Sequence, residues 1–361
     1  MSTVIQTDDR VVTALTDKRP LVSVVLPAFN EAAILEQNLA EVYRYLHSLD
    51  SIYRWEVIIV NDGSSDGTGA IADSLRATYP NLMVIHHVTN FGLGQAFKTA
   101  FARSRGDYVV TIDVDLSYSP EHIGLLLEKI TATRAKLVLA SPYMKGGKLS
   151  QVPGLRRFMS VWANRFLSFL SGGQVSTLTC MTRAYDGLFV RDLNLRATGM
   201  DVMPETVYKA MVLRARIEQI PAHLDWSRQV TTGGPKRRSS MRILRHTLAT
   251  ILQGFVLRPF MFFIVPGLLL LVFAAWTNFW MFIHFFDAYR ATDPDISYRM
   301  SVAVARAYEA YPHTFIIGLL SLMLAIQLVS LGTLALQNKT YFEELFHINS
   351  AIKKALSQRG E

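Results

Sequence analysis

The stretch YVVTIDVDLSYSP, residues 108–120, decides how this chain is read. Five apolar or β-branched residues end in Asp113-Val114-Asp115, so a short buried strand delivers two carboxylates at its carboxyl end. In extended geometry residues two apart point the same way. Two carboxylates so placed form a hard, oxygen-rich site suited to Mg²⁺ or Mn²⁺, which can in turn hold a diphosphate. A bare D-x-D is common by chance, and its weight comes from the elements around it. Apolar runs of the same kind recur at 21–26, 55–60, 82–85 and 137–140. Helical patterns lie between them at 32–49, 68–78, 94–104 and 121–131. Short buried strands alternating with amphipathic helices predict an α/β domain built on a parallel sheet. In such sheets ligands bind outside the carboxyl ends of the strands.

Two more strand ends carry polar clusters. Pro27-Ala28-Phe29-Asn30-Glu31 follows the first strand, and Asn61-Asp62-Gly63-Ser64-Ser65-Asp66-Gly67 follows the second. The glycines of the latter permit a tight turn, and Asp62 and Asp66 can meet ribose hydroxyls or base edges. The spacing of Asp62, Ser64, Asp66 and Asp73 roughly fits a calcium loop, but the segment follows a strand and no Glu closes it. A dinucleotide fingerprint is missing: Gly92-Leu93-Gly94 follows the third strand and lacks a third glycine. A P-loop and a G-x-S-x-G elbow are missing too. The single cysteine, Cys180, excludes an internal disulfide and a Cys-rich zinc site, and reads as a packed core residue.

Composition adds a membrane. The chain has 361 residues, 50% hydrophobic and only 18% charged, with a net charge of +8. That is too apolar for an ordinary soluble enzyme, and the positive charge predicts an anionic partner. No charge occurs between Arg258 and Asp287, or between Glu309 and Lys339. Each gap exceeds the roughly 20 apolar residues of a spanning helix, so a two-helix hairpin is expected. Lys and Arg gather outside both spans, as at Arg228, Lys236–Arg238, Arg242 and Arg245 before the first and Lys353 and Lys354 after the second. This places both termini and the α/β domain in the cytoplasm, at the inner membrane if the cell is bacterial. The first residues, polar and without an apolar core, are not expected to act as a signal peptide. Residues 239–259 and 155–170 combine apolar residues at helical spacing with arginines, and are expected to lie in the headgroup region. The expected layout is a tail (1–20), an α/β domain (21–227), a basic loop and juxtamembrane helix (228–259), a first span (260–286), an external connector (287–312), a second span (313–338) and a cytoplasmic tail (339–361). Much of the charge sits beside a span, so nucleic acid is not expected as a partner. Two spans are few for a monomeric membrane unit, so a homo-oligomer is expected.

Together LPAFNEA (26–32), VNDGSSDGT (60–68), NFGLGQAFKTAF (90–101) and DVDLSYSP (113–120) resemble the family-2 glycosyltransferases of the GT-A, Rossmann-like fold, over about 21–221. With the basic segment and two C-terminal spans, the chain resembles the polyprenyl- and dolichyl-phosphate sugar synthases. The resemblance implies inverting transfer of one sugar, a hexose such as glucose or mannose, from a UDP- or GDP-sugar to a membrane lipid phosphate, in cell-envelope glycan biosynthesis. It implies that Pro27, Asn30 and Glu31 line the nucleotide site with Asp62, and that Asp113 and Asp115 hold the metal and donor diphosphate. The family often has Gln two residues after the second Asp; here Ser117 stands there, and the third protein ligand is left unassigned. SPYMKGG (141–147) resembles the acceptor loop, entered at Ser141, but Pro142 replaces its usual Arg. Acceptor-phosphate contact then falls to Lys145, Arg156 or Arg157. Arg183 matches a family Arg near the acceptor phosphate, Arg228 and Lys236 match basic residues that meet phosphates, and Asp201 is the candidate for a base-like role. The alternatives are a transferase acting on another lipid or a polysaccharide, and a non-catalytic membrane-tethered protein that binds nucleotide sugars. A processive synthase is disfavoured because no Q-x-x-R-W motif is present.

Overall fold

The computed structural model describes residues 18–152, 154–170, 173, 175–227 and 259–357. The chain divides into two compact units, residues 1–253 with 353–361, and residues 254–352. The expected basic loop and juxtamembrane helix, with Arg228 and Lys236, lies outside the described residues except for its last residue, Pro259.

In the first unit the strands are β1 (Leu21–Ala28), β2 (Arg54–Asn61), β3 (Leu82–His86), β4 (Tyr108–Thr111), β5 (Leu137–Ser141), β6 (Lys148–Ser150), β7 (Arg183–Asp186), β8 (Ile217–Pro221) and β9 (His223–Asp225). The helices are α1 (Leu35–His47), α2 (Thr68–Thr78), α3 (Leu93–Arg103), α4 (Glu121–Thr133), α5 (Gly154–Leu170), α6 (Gly187–Asp192) and α7 (Val202–Val212). Seven strands form one sheet in the order β3-β2-β1-β4-β7-β5-β8. β1 to β3 and β4 run parallel, as the alternating pattern predicts, and β5 runs parallel to β8. β7 corrects the all-parallel expectation: it is antiparallel and sits between β4 and β5. β6 and β9 form a separate parallel pair. Val24, Val25, Val57 to Val60, Val109 and Val110 are fully enclosed, as expected for a sheet covered by helices on both faces.

The register shows where the sheet opens. β1 and β2 stay paired through Ala28 and Asn61, whereas β1 and β4 pair only as far as Val25 and Thr111. Pro27, which has no N–H to give a ladder, lies just past the last β1–β4 pair. β1 is also where strand order reverses, because the chain moves out to β2 and β3 and then returns to β4. Such a switch point leaves a crevice beyond the strand ends.

The second unit holds α8 (Pro259–Arg290), α9 (Arg299–Ala310) and α10 (Pro312–Ser357) as far as Ile352. The segments Phe260–Arg290 and Pro312–Asn349 are long and apolar enough to cross a membrane. Only 17% and 22% of their most apolar windows are buried, which separates them from core helices of a soluble fold. They pair antiparallel through small residues: Gly267 faces Leu328 and Val329, Gly332 faces Phe263 and Ile264, and Asn278 Nδ2 donates to the Gly318 carbonyl at 3.0 Å. α10 continues through 339–357, where the sequence predicts only a tail. Within the expected connector, α9 lies against α8 with Ala303 and Ala307 buried.

Candidate active site

The loops after β1, β2 and β4 meet at the crevice, and a set of buried polar contacts fixes them. The Asp113 carboxylate accepts no hydrogen bond from a described residue. Part of Asp113 reaches solvent, but protein packs round its carboxylate. That burial, and then the charge of Asp115, push its pKa well above the ordinary carboxylate range. Asp115 Oδ1 accepts from the Ser117 N–H at 3.0 Å and from its hydroxyl at 2.7 Å. Leu116, between them, has φ +48°, left-handed for a non-glycine residue. From the first crossover, buried Asn38 on α1 donates to the Val114 carbonyl at 2.8 Å. That bond ties the element after β1 to the turn after β4, a link the sequence patterns do not show.

The β1 and β2 loops clasp each other. Asn30 has φ +56°; its N–H donates to Ser64 Oγ at 3.0 Å and its Oδ1 accepts from Ser65 N at 2.9 Å. The Glu31 N–H donates to Thr68 Oγ1 at 2.8 Å. Asp66 accepts from Thr68 N at 2.9 Å, from the Thr68 hydroxyl and from Ala32 N at 3.2 Å. Burial works to raise the Asp66 pKa, but these hydrogen bonds outweigh it and hold the carboxyl below its usual range. Asp62 is 4% exposed and brackets the next loop: Oδ1 lies 2.7 Å from His87 Nδ1 and accepts from Phe91 N at 3.0 Å, and Oδ2 accepts from Gly92 N at 2.8 Å. His87 Nε2 in turn lies 2.9 Å from Thr99 Oγ1.

Gly92-Leu93-Gly94 finds its use here. A Cβ on Gly92 would lie 2.5 Å from the Thr198 carbonyl oxygen, and one on Gly94 2.5 Å from that of Ala197. The Thr198 carbonyl accepts from Gly94 N at 2.8 Å and Gln95 N at 3.2 Å, so protein caps the start of α3. Glu205 holds the same loop by accepting from the Arg196 and Ala197 N–H groups, each at 2.9 Å. Asp201 heads α7, exposed, with Oδ1 accepting from Gly199 N at 3.1 Å.

The acceptor-side candidates separate. Ser141 is buried, its Oγ 2.6 Å from that of Ser176, and it receives Tyr143 N at 3.2 Å. The Tyr143 hydroxyl lies 2.5 Å from Ser160 Oγ on α5, so the 141–147 loop and α5 are joined. Lys145 is exposed and makes no ion pair among the described residues. Arg156 and Arg157 lie on α5, but their side chains are outside what is described. Arg183 is a correction. It is fully enclosed, with Nε donating to the Cys180 carbonyl at 2.6 Å, Nη1 to Met203 at 2.8 Å and to Thr206 Oγ1, and Nη2 to Leu178 at 2.7 Å. Its guanidinium is committed to protein oxygens and sews the 178–180 segment to α7. The motif gave its position but not its burial. Cys180 is the core residue expected, and burial pushes its thiol up to about 11.

The donor set can be tested against a divalent cation. Among the described residues no cluster of three or more His, Cys, Asp or Glu side chains forms a complete protein cage. Asp113 and Asp115 instead give two hard carboxylates on one turn, one of them raised by burial and by the other's charge. That fits Mg²⁺ or Mn²⁺, which are held by one or two carboxylates plus substrate phosphates.

Residues 23–189 match the family described as glycosyl transferase family 2. The polyprenol monophosphomannose synthase of Mycolicibacterium smegmatis is 32% identical over 48% of this chain and 64% of its own length. The undecaprenyl-phosphate mannosyltransferase of Micrococcus luteus is 28% identical over 64% of this chain and 95% of its own length. Glucosyl-3-phosphoglycerate synthase of Mycobacterium tuberculosis, solved with Mn²⁺, UDP and glucosyl-3-phosphoglycerate, aligns with 70% of this chain and 86% of its own at 22% identity and a TM-score of 0.47.

Proposed function

We propose that this chain, whose residues 23–189 match glycosyl transferase family 2, transfers one sugar from a nucleotide sugar to a polyprenyl phosphate at a membrane. The observation that carries the reading is the pair Asp113 and Asp115, delivered by β4 to the crevice beside the 27–31 loop. The names of the mycobacterial and Micrococcus relatives support the lipid acceptor. The two apolar helices support its location.

The lipid phosphate is its own nucleophile. A phosphate monoester is largely dianionic near neutral pH, its second pKa being about 6, so no side-chain base is required. One of its oxygens forms a bond to the anomeric carbon while the bond from that carbon to the nucleoside diphosphate breaks, which inverts the centre. Asp113 and Asp115 would hold a divalent cation against the departing diphosphate. When bound, that cation neutralises the charge developing there. Asn30, Glu31 and the Asp62 bracket shape the nucleotide side of the crevice. Lys145 is the exposed cation of the acceptor loop, with Arg156, Arg157, Arg228 and Lys236 as further candidates for phosphate contact. Asp201 orders the 199–201 turn, and no step here needs it as a base.

α5 presents Phe158, Trp162 and Phe169, each more than half exposed, with Arg165 on the same helix and no acidic residue along it. That face suits the headgroup region, where aromatic rings and arginines are favoured. The flanking Lys and Arg support cytoplasmic termini and an external connector. The test offers full-length protein a panel of UDP- and GDP-sugars, with polyprenyl phosphate or diacylglycerol in the vesicle. Label entering the organic phase with polyprenyl phosphate alone is expected. Label requiring diacylglycerol would replace the acceptor, and donor binding without transfer would replace the enzyme by a binding protein.

A further inference from the structure

Ser117 holds the Asp115 carboxylate from two directions. Its N–H and hydroxyl both donate to Oδ1, at 3.0 and 2.7 Å. Its carbonyl accepts from Asp225 N at 2.9 Å, so β9 fixes the residue from the other side. Ser117 is 6% exposed, and Leu116 before it is 2% exposed in a left-handed conformation. A non-glycine residue keeps that conformation only where its surroundings over-determine it. The hydroxyl is therefore enclosed and directed at Asp115 Oδ1. Asp113, two residues before Asp115, has no such partner among the described residues.

We propose that Ser117 is a positioning residue that fixes the rotation of the Asp115 carboxylate and thereby sets the affinity of the site for its divalent cation. The proposal rests on the reading of Asp113 and Asp115 as metal-binding. A carboxylate that ligates a cation binds best when its orientation is settled beforehand by hydrogen bonds from its own neighbours. A serine here cannot replace the amide oxygen of a glutamine as a ligand over the same reach, but it can freeze the carboxylate that does the binding. Through its carbonyl, Ser117 also ties cation affinity to β9, the last strand before the basic segment.

Full-length protein in detergent would be titrated with Mn²⁺ in the presence of UDP or GDP, reading free Mn²⁺ by electron paramagnetic resonance alongside a melting curve. Ser117→Ala is expected to weaken Mn²⁺ binding about ten- to a hundredfold. Ser117→Thr, which keeps the hydroxyl, is expected to retain most of it. Ser117→Cys, close in volume but a poor donor, carries the test should the alanine variant not fold, and is expected to bind weakly. Asp115→Asn serves as the control that loses binding. Wild-type affinity in Ser117→Ala or Ser117→Cys, with binding lost in Asp115→Asn, overturns the role of Ser117 and leaves the metal reading standing. No Mn²⁺ binding by the wild type with either diphosphate overturns the metal reading itself.

Discussion

Arg183 donates to four protein oxygens from a site closed to solvent, so its substitution tests the fold before the chemistry. Arg183→Met would orphan the carbonyls of Leu178 and Cys180 and leave that of Met203 with the Thr206 hydroxyl at 2.8 Å, and is expected to cost about 2–4 kcal/mol in denaturant unfolding. KM for the acceptor should stay near wild type in the folded fraction; a large rise in KM at unchanged stability would return Arg183 to the acceptor site. Asp66 predicts a pH effect with a definite sign. Its pKa is lowered in the folded state, so its contribution is complete above the unfolded carboxylate value of about 3.9 and is lost as pH falls through the lower folded value. The stability gap between wild type and Asp66→Asn should be constant at neutral pH and close on acidification; a gap that widens would reverse the assignment. The two kinds of residue differ in legibility. Asp113 and Asp115 are readable because a strand end determines where they go. The burial of Arg183 and the hydrogen-bond partners of Asp62 are not, because a motif carries residue type and spacing but neither burial nor partners.

Among the elements, β1 to β5 and α1 to α4 are legible because each is a continuous apolar run or an amphipathic period bounded by turn residues. α2 spans Thr68–Thr78, the same limits the periodicity predicts. β7 is not legible: it has four residues, begins with the buried Arg183 and ends with Asp186, and tertiary pairing rather than local pattern makes it a strand. β6 and β9, three residues each, exist only through each other. The Gly92-Leu93-Gly94 signal was visible as a fragment of a nucleotide fingerprint, but its purpose is the close approach of the 197–199 loop. Gly94→Ala therefore places a methyl group against the Ala197 carbonyl oxygen, and is expected to destabilise by about 1–3 kcal/mol in thermal or denaturant unfolding. An unchanged midpoint would mean that the loop yields freely.

For the molecule as a whole, net charge, apolar excess and motif positions give one account. On the proposed reading, the carboxylates of the first unit would bring the donor, the basic residues would meet anionic phosphate and headgroups, and the two helices long and apolar enough to cross a membrane would lie where a polyprenyl phosphate resides. The hairpin was legible from two uncharged runs. The antiparallel pinning through Gly267, Gly332 and Asn278 was not, because it depends on which faces meet. The expected homo-oligomer would be decided by a detergent-corrected mass, and a clean monomer would remove it. The most direct test compares wild type with Asp115→Asn for transfer of labelled sugar to polyprenyl phosphate in vesicles, with and without Mg²⁺ or Mn²⁺. The account predicts cation-dependent transfer by the wild type, reduced by about 10²–10³-fold or more in Asp115→Asn at an unchanged melting temperature. Equal transfer by the two proteins, or transfer indifferent to the cation, would contradict it.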